Sequence, residues 1–177
     1  MTPKLGIEED NRTAVVGVLN ALLSDEYVLY TKTRNFHWNV TGPNFKALHV
    51  FFEEQYRLLD ESVDAVAERA RKLGGDAAGT LEEFLELARL EEAPNTSPPS
   101  ANKMISTLLA DHEKLIRQLR EDIKACEETY DDQGSMDFLT GLMEDHEKMA
   151  WMLRAEIETE EEEEEATLDS ATSPEIS

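Results

Sequence analysis

Four stretches of this chain repeat apolar residues at steps of three and four, and each is long enough that only a helix can put those residues on one face. The first, about Glu8 to His37, carries Val16, Leu19, Leu23, Tyr27 and Tyr30. It stops at Thr41-Gly-Pro-Asn44, where a permissive glycine, a proline and a good N-cap follow one another. The second runs from there to Gly74-Gly75, with Phe45, Leu48, Phe52, Leu59, Val63 and Val66 on its stripe and the glycines as its C-cap. The third, about Ala101 to Thr129, aligns Ile105, Leu109, His112, Ile116, Leu119, Ile123 and Cys126. The fourth, about Ser135 to Glu160, aligns Leu139, Leu142, His146, Met149, Leu153 and Ile157. No segment shows the strict alternation of a strand, so the fold class is all-α, a four-helix bundle. The connection from Gly74 to Ser100 is long enough to carry the chain from one end of the bundle to the other. Within it Thr80-Leu-Glu-Glu83 reads as a capping box opening a short helix, roughly Thr80 to Arg89, and Pro94, Pro98 and Pro99 close it as a loop.

The ends offer little to bury. Residues 1–7 read as a flexible segment, 8–160 as the bundle and 161–177 as a disordered acidic tail that begins in the run Glu160 to Glu165. A chain of 177 residues that is 40% apolar makes one domain with a real core. No stretch approaches the roughly 20 apolar residues of a membrane span, and the N-terminus lacks the pattern of a signal peptide. The single cysteine, Cys126, suits a reducing compartment. A cytoplasmic protein is expected.

Charge narrows the partners. With 39 acidic against 17 basic side chains the formal net charge is −22. Phosphate binding rests on Lys and Arg displacing counterions, so direct DNA binding at moderate salt is not expected, whereas cations are natural ligands. An excess of carboxylates also keeps a protein soluble in concentrated salt, where their repulsion is screened.

The side chains suited to a cation are placed in pairs. His37 ends the first helix, and the second carries His49/Glu53 and Asp64/Glu68, each pair spaced i, i+4, on a face beside the apolar stripe. Imidazole binds Fe(II) well, and hard oxygens stabilise Fe(III) as it forms. The two pairs cannot share an ion within one chain, because the helix from His49 to Asp64 spans about 22 Å at its rise of 1.5 Å per residue. A second copy of the helix, packed antiparallel about a two-fold near Leu58 and Leu59, brings His49 and Glu53 of one chain beside Asp64 and Glu68 of the other. The alternative is that these are ordinary charges on an acidic helix.

The stretch Asn35-Phe-His37-Trp-Asn-Val-Thr-Gly42-Pro-Asn-Phe45-Lys-Ala-Leu-His49, followed by Asp64-Ala-Val-Ala-Glu68-Arg-Ala-Arg-Lys-Leu-Gly-Gly75, closely resembles the signature of Dps proteins, the DNA-protecting-during-starvation mini-ferritins. The likeness continues through Thr80-Leu-Glu-Glu-Phe-Leu, Glu91-Glu-Ala-Pro94 and His146-Glu-Lys-Met-Ala-Trp-Met-Leu-Arg-Ala155. It implies a ferritin-like bundle assembled as a hollow homododecamer, with no membrane partner. His37, His49, Asp64 and Glu68 match the family's ferroxidase ligands, and Glu53 falls where a further carboxylate often occurs. The implied chemistry is oxidation of Fe(II), preferably by hydrogen peroxide rather than O2, with the ferric product stored as mineral in the shell. Two one-electron donors then reduce one peroxide to water without releasing hydroxyl radical. Trp38, beside His37, reads either as an electron donor when one iron is bound or as interface packing.

Three further features stay open. His112 and His146 sit in matching Asp-His-Glu-Lys tetrads on the apolar stripes, where a core histidine bonded to its neighbours is the ordinary reading and a buried metal site the other. Glu128, Asp132 and Asp137 lie where Dps proteins line a three-fold pore for iron, and a ring of carboxylates there would concentrate cations; the alternative is a solvated acidic turn. DNA binding as a nucleoid protein is the alternative function. The N-terminus offers only Lys4 and Arg12, and twelve chains together carry a formal charge of about −264.

Overall fold

The structure, a computed structural model, describes residues 3–92 and 97–172. Its helices are α1 (Glu9–Asn39), α2 (Phe45–Lys72), α3 (Leu81–Leu87), α4 (Ala101–Glu128) and α5 (Gln133–Thr172), and no strand occurs among the described residues. α1 packs along α2, α4 packs along α5, and α3 lies against α1 in the crossover.

Each end has a local cause. Glu9 and Asp10 in the first turn of α1 complement the positive end of its dipole. Beyond Asn39 the chain turns through Gly42, whose φ of 118° an L side chain rarely adopts. α2 closes in a complete Schellman motif: Gly74, at φ 86°, donates its N–H to the carbonyl of Arg71 at 2.9 Å, and Gly75 donates to that of Ala70 at 3.1 Å. The capping box of α3 is present, and donors from the Gly79 backbone, the Thr80 hydroxyl and the Thr80 backbone hold the Glu83 carboxyl below its ordinary range. α5 continues in helical backbone to Thr172, past the Glu160 at which the sequence suggests a disordered tail. Glu and Ala are strong helix formers, and helical backbone through the acidic run agrees with that propensity. Residues 173–177 and Pro94 lie outside the described residues.

The core follows the stripes in part: on α1 Val15, Leu19, Leu22, Leu23 and Leu29 are buried while Val16, Tyr27 and Tyr30 are half-buried, Phe45 of α2 is exposed, and α4 shows a similar shift. On α4 the fully buried apolar side chains are Met104, Ile105, Leu108, Leu115, Leu119 and Cys126, while Leu109, Ile116 and Ile123 are half-buried. The apolar surface of α4 is two rows wide, and the row that turns inward is set by its packing on α5. Burial also pushes the Cys126 thiol up to about 11, so it stays a neutral core group.

The stripes do not reveal how much charge is buried. Asp25 and Glu26 on α1 are completely inaccessible, and Lys32 nearly so. The Asp25 carboxylate accepts from the backbone N–H of Arg89 and Leu90 at 2.6 and 2.8 Å and from Arg89 Nε at 2.7 Å. Arg89 also bonds Asp122 of α4 at 2.7 Å. Lys32 donates to the Glu91 carbonyl at 2.7 Å and pairs with Asp111, and Lys114 donates to the Arg89 carbonyl at 2.6 Å. These bonds fasten the chain that leaves α3 to α1 and α4 at once.

A second buried group crosses three helices. His146 Nε2 of α5 meets Glu26 Oε1 of α1 at 2.8 Å, and its Nδ1 meets His112 Nδ1 of α4 at 2.9 Å, with all three residues fully buried. The two histidines are bonded to neighbours in the core, and among the described residues no group of three His, Cys, Asp or Glu side chains is arranged to hold a metal ion. Only one proton fits between the two Nδ1 atoms, so one ring donates and the other accepts. Desolvation, reinforced by His146, holds His112 well below the ordinary 6.5. The unfolded chain therefore binds more protons than the folded one below about pH 6.5, and stability falls as pH drops through that range. Thermal unfolding measured from pH 8 to 5 is expected to show a midpoint that declines below about 6.5. His112→Leu is expected to flatten that decline while lowering stability by roughly 1–3 kcal/mol at pH 8, because His146 loses a buried partner. An unchanged pH slope in the variant would contradict this account.

Candidate metal centre

His37 stands in the last turn of α1 and His49 at the start of the second turn of α2, so the short turn between the helices brings them together. Their rings stack at 3.8 Å between centroids, with an interplanar angle of 23°. Each ring holds the other's backbone: His37 Nδ1 bonds the His49 carbonyl at 2.7 Å, and His49 Nδ1 bonds the His37 carbonyl at 2.8 Å. A carbonyl only accepts, so each Nδ1 carries the proton and each Nε2 keeps its lone pair. Orientation by a backbone carbonyl through the other ring nitrogen is how metal-binding histidines are usually held. His37 is buried and His49 half-buried, so the pair sits at the edge of the bundle and not in its core.

The acidic candidates are spread along α2. Glu53, one turn beyond His49, is partly exposed and paired with Arg57. Asp64 and Glu68 are exposed, and Glu68 bonds Lys72 at 3.0 Å in a surface pair of little intrinsic strength. Thus the fold unites the histidines and keeps Asp64 and Glu68 on the same uninterrupted 28-residue helix, farther along its length.

Around His37 lies a group that sequence spacing did not single out. Tyr56 presents its ring to that of His37 edge to face, at 5.2 Å. It lies seven residues after His49, two turns along the same face, which is the signal that would have found it. The Arg34 guanidinium lies 5.6 Å from the Tyr30 ring, 5.5 Å from Tyr56 and 5.2 Å from Trp38. Trp38 itself is 64% exposed, as is much of Phe45, whose ring approaches His49 at 5.2 Å.

The acidic turn before α5 divides in two. Glu128 and Asp137 are exposed. Asp132, expected beside them in a pore, is instead buried: it accepts from Ser135 N at 3.0 Å and Ser135 Oγ at 2.6 Å as the cap of α5, and pairs with Arg69 at 3.2 Å. A carboxylate so engaged has no free face to offer a passing ion.

The four long helices, with a short one in the crossover, have counterparts among known proteins. A family model described as a ferritin-like domain matches residues 16–163. A DNA protection during starvation protein of Bacillus anthracis is 38% identical over 128 residues, 72% of this chain and 86% of that one. The chain belongs to the Dps family of ferritin-like proteins. A low temperature-induced protein of Nostoc is 47% identical over 139 residues, covering 78% of this chain and 77% of the relative. The crystal structure of the Vibrio cholerae Dps protein, described as one of a broad superfamily of ferritin-like diiron-carboxylate proteins, superposes with a TM-score of 0.80 at 28% identity, covering 88% of this chain and 96% of that one. This kinship supports iron storage and protection as the general role of a Dps chain, and a ferroxidase type of activity with iron. No described helix is long and apolar enough to cross a membrane.

The clasp between the histidines makes a specific demand on this Dps chain. His49→Ala removes one Nε2 and releases the other ring, so affinity for Co(II), a spectroscopic stand-in for Fe(II), is expected to fall by more than the roughly 10–100-fold typical of a supporting residue, with helical content unchanged. Visible titration showing equal Co(II) affinity in the variant would remove His49 from the site.

Proposed function

We propose that this Dps protein is a ferroxidase whose sites form between two chains, with His37, His49 and Glu53 from one and Asp64 and Glu68 from the other. The reciprocal histidine clasp carries this reading. It fixes two imidazoles in the tautomer that leaves Nε2 for a metal, while the carboxylates that would complete a site stand about 22 Å farther along the same helix. A two-fold near Leu58 and Leu59 closes that distance, and Leu58 is exposed to receive a partner. Iron is the substrate. Two Fe(II) ions give one electron each to hydrogen peroxide, the preferred oxidant over O2, and two protons complete two water molecules. The carboxylates offset the positive charge that grows as Fe(III) forms. The ferric product is stored as mineral inside a homododecameric shell, in the cytoplasm. Glu128 and Asp137, both exposed and acidic, line the entry pores in this reading, and Asp132 instead supports them by capping α5.

Two inactive variants test the shared site. His49→Ala and Asp64→Ala shells are each expected to lose peroxide-driven Fe(II) oxidation under anaerobic loading. When the two are unfolded together and co-assembled, each mixed pair regains one intact site of two, so about a quarter of the sites are expected to recover. No recovery in mixed shells of normal size would place the ligands within one chain or elsewhere.

Protection of DNA, which the names of relatives record, follows in this reading from removing iron and peroxide and not from contact. The formal charge of −22 per chain repels a duplex whose binding needs Lys and Arg. A gel-shift assay at low ionic strength without divalent cations is expected to show free DNA, and retardation would restore a nucleoid role.

A further inference from the structure

We infer that Tyr56 and Tyr30 form a redox relay that supplies the second electron when peroxide meets a site holding a single Fe(II). This rests on the ferroxidase reading and adds to it a role for residues outside the ligand set. A lone Fe(II) gives peroxide one electron, and a one-electron reduction leaves hydroxyl radical. An oxidisable ring in direct contact with the histidine pair is Tyr56, edge-on to His37 at 5.2 Å. From it the rings continue along α1 toward α3: Tyr30 lies 6.1 Å from Tyr56 at 84°, and Tyr27 lies 5.9 Å from Tyr30. All of these spacings fall within the range of direct aromatic contact. Tyr27 then stacks on Phe84 at 4.2 Å, and a phenylalanine has no hydroxyl to lose a proton, so the series of phenols ends there. Trp38, the residue the sequence suggests as donor, meets this group only through the Arg34 guanidinium and is itself largely exposed.

Arg34 keeps the radicals of the relay neutral. Its guanidinium lies within 5.6 Å of both tyrosine rings, and it donates a hydrogen bond to the Tyr30 hydroxyl. A fixed cation opposes a positively charged ring and stabilises negative charge on the phenolic oxygen, so each phenol releases its proton along with its electron. The step balances as one peroxide, one Fe(II), one tyrosine and one proton giving Fe(III), a neutral tyrosyl radical and two water molecules. The O–O bond breaks, iron and the phenol are each oxidised by one electron, and the phenolic proton ends in water. Exchange of a hydrogen atom's worth of charge moves the radical from Tyr56 to Tyr30. A later Fe(II), with one proton, returns it to tyrosine as Fe(III) forms, so the overall stoichiometry of two irons per peroxide is kept.

The test uses the assembled protein loaded anaerobically with one Fe(II) per site, mixed with one equivalent of hydrogen peroxide and freeze-quenched for electron paramagnetic resonance. An organic radical whose hyperfine structure narrows in protein made with ring-deuterated tyrosine is expected. Tyr56→Phe is expected to lose that signal and to raise spin-trapped hydroxyl radical, while two-iron oxidation and shell size stay as in the parent. Tyr30→Phe is expected to keep the signal but shorten its life, and Trp38→Phe to leave it unchanged. Iron oxidation with no organic radical, a radical insensitive to tyrosine deuteration, or one unaffected by Tyr56→Phe would overturn the relay alone. Absence of peroxide-driven oxidation even at two irons per site would overturn the relay together with the ferroxidase reading.

Discussion

The carboxylate of Asp25 is taken completely out of water in the middle of α1, where it accepts two backbone N–H groups and the Arg89 guanidinium. A buried charge is tolerable only when each lone pair finds a donor, and removing one partner of such a pair typically costs roughly 3–5 kcal/mol. Here every donor belongs to the segment that leaves α3. The carboxylate thus specifies where the crossover lies, and Arg89 passes the constraint on to Asp122 of α4. Burial pushes the Asp122 carboxyl up, against the pull of Arg89. With the crossover fastened, the α1–α2 and α4–α5 hairpins are joined in one arrangement, and the rest of the bundle packs around it.

That arrangement has a consequence for the metal centre. Because α2 is continuous, its two candidate pairs sit toward opposite ends of one helix. The histidine end is held by the clasp, in which each ring bonds the other's backbone carbonyl, and that of His37 lies in the last turn of α1, where carbonyls lack an intrahelical partner. The carboxylate end is held only by surface pairs such as Glu68–Lys72, which a metal ion or a second subunit displaces at small cost. One half is held in place and the other adaptable, as suits the proposed site completed by assembly.

The acidic surface and the polar interior serve different ends. Most of the carboxylates behind the net charge are solvated, whereas Asp25, Glu26 and Asp132 are spent on architecture: gripping the crossover, bonding His146 and capping α5. Composition therefore overstates how many acids are free to meet iron. Asp132 shows the point, since its neighbours Glu128 and Asp137 are exposed while it turns inward to Arg69.

Helix positions, the Gly74 cap, the Thr80–Glu83 capping box and the spacing of His37, His49, Asp64 and Glu68 were all legible in the linear chain. Each depends on residues within a turn or two, where periodicity and local hydrogen bonding decide the outcome. Even the distance that separates the two pairs along α2 follows from the rise of a helix. Which of two apolar rows on α4 faces inward was not legible, because that choice is made by the surface of α5. Nor were the burial of Asp25 and Lys32, the chain of Glu26, His146 and His112, or the Tyr56 ring against His37. These join groups up to 120 residues apart. A charged side chain reads as solvent-facing until its partner arrives from another helix. The sequence by itself determined the elements and the candidate ligands; only the tertiary structure decided which polar groups leave water and which rings stand beside the histidine pair, because desolvation and ring contact depend on what packs across the bundle and not on what lies next along the chain.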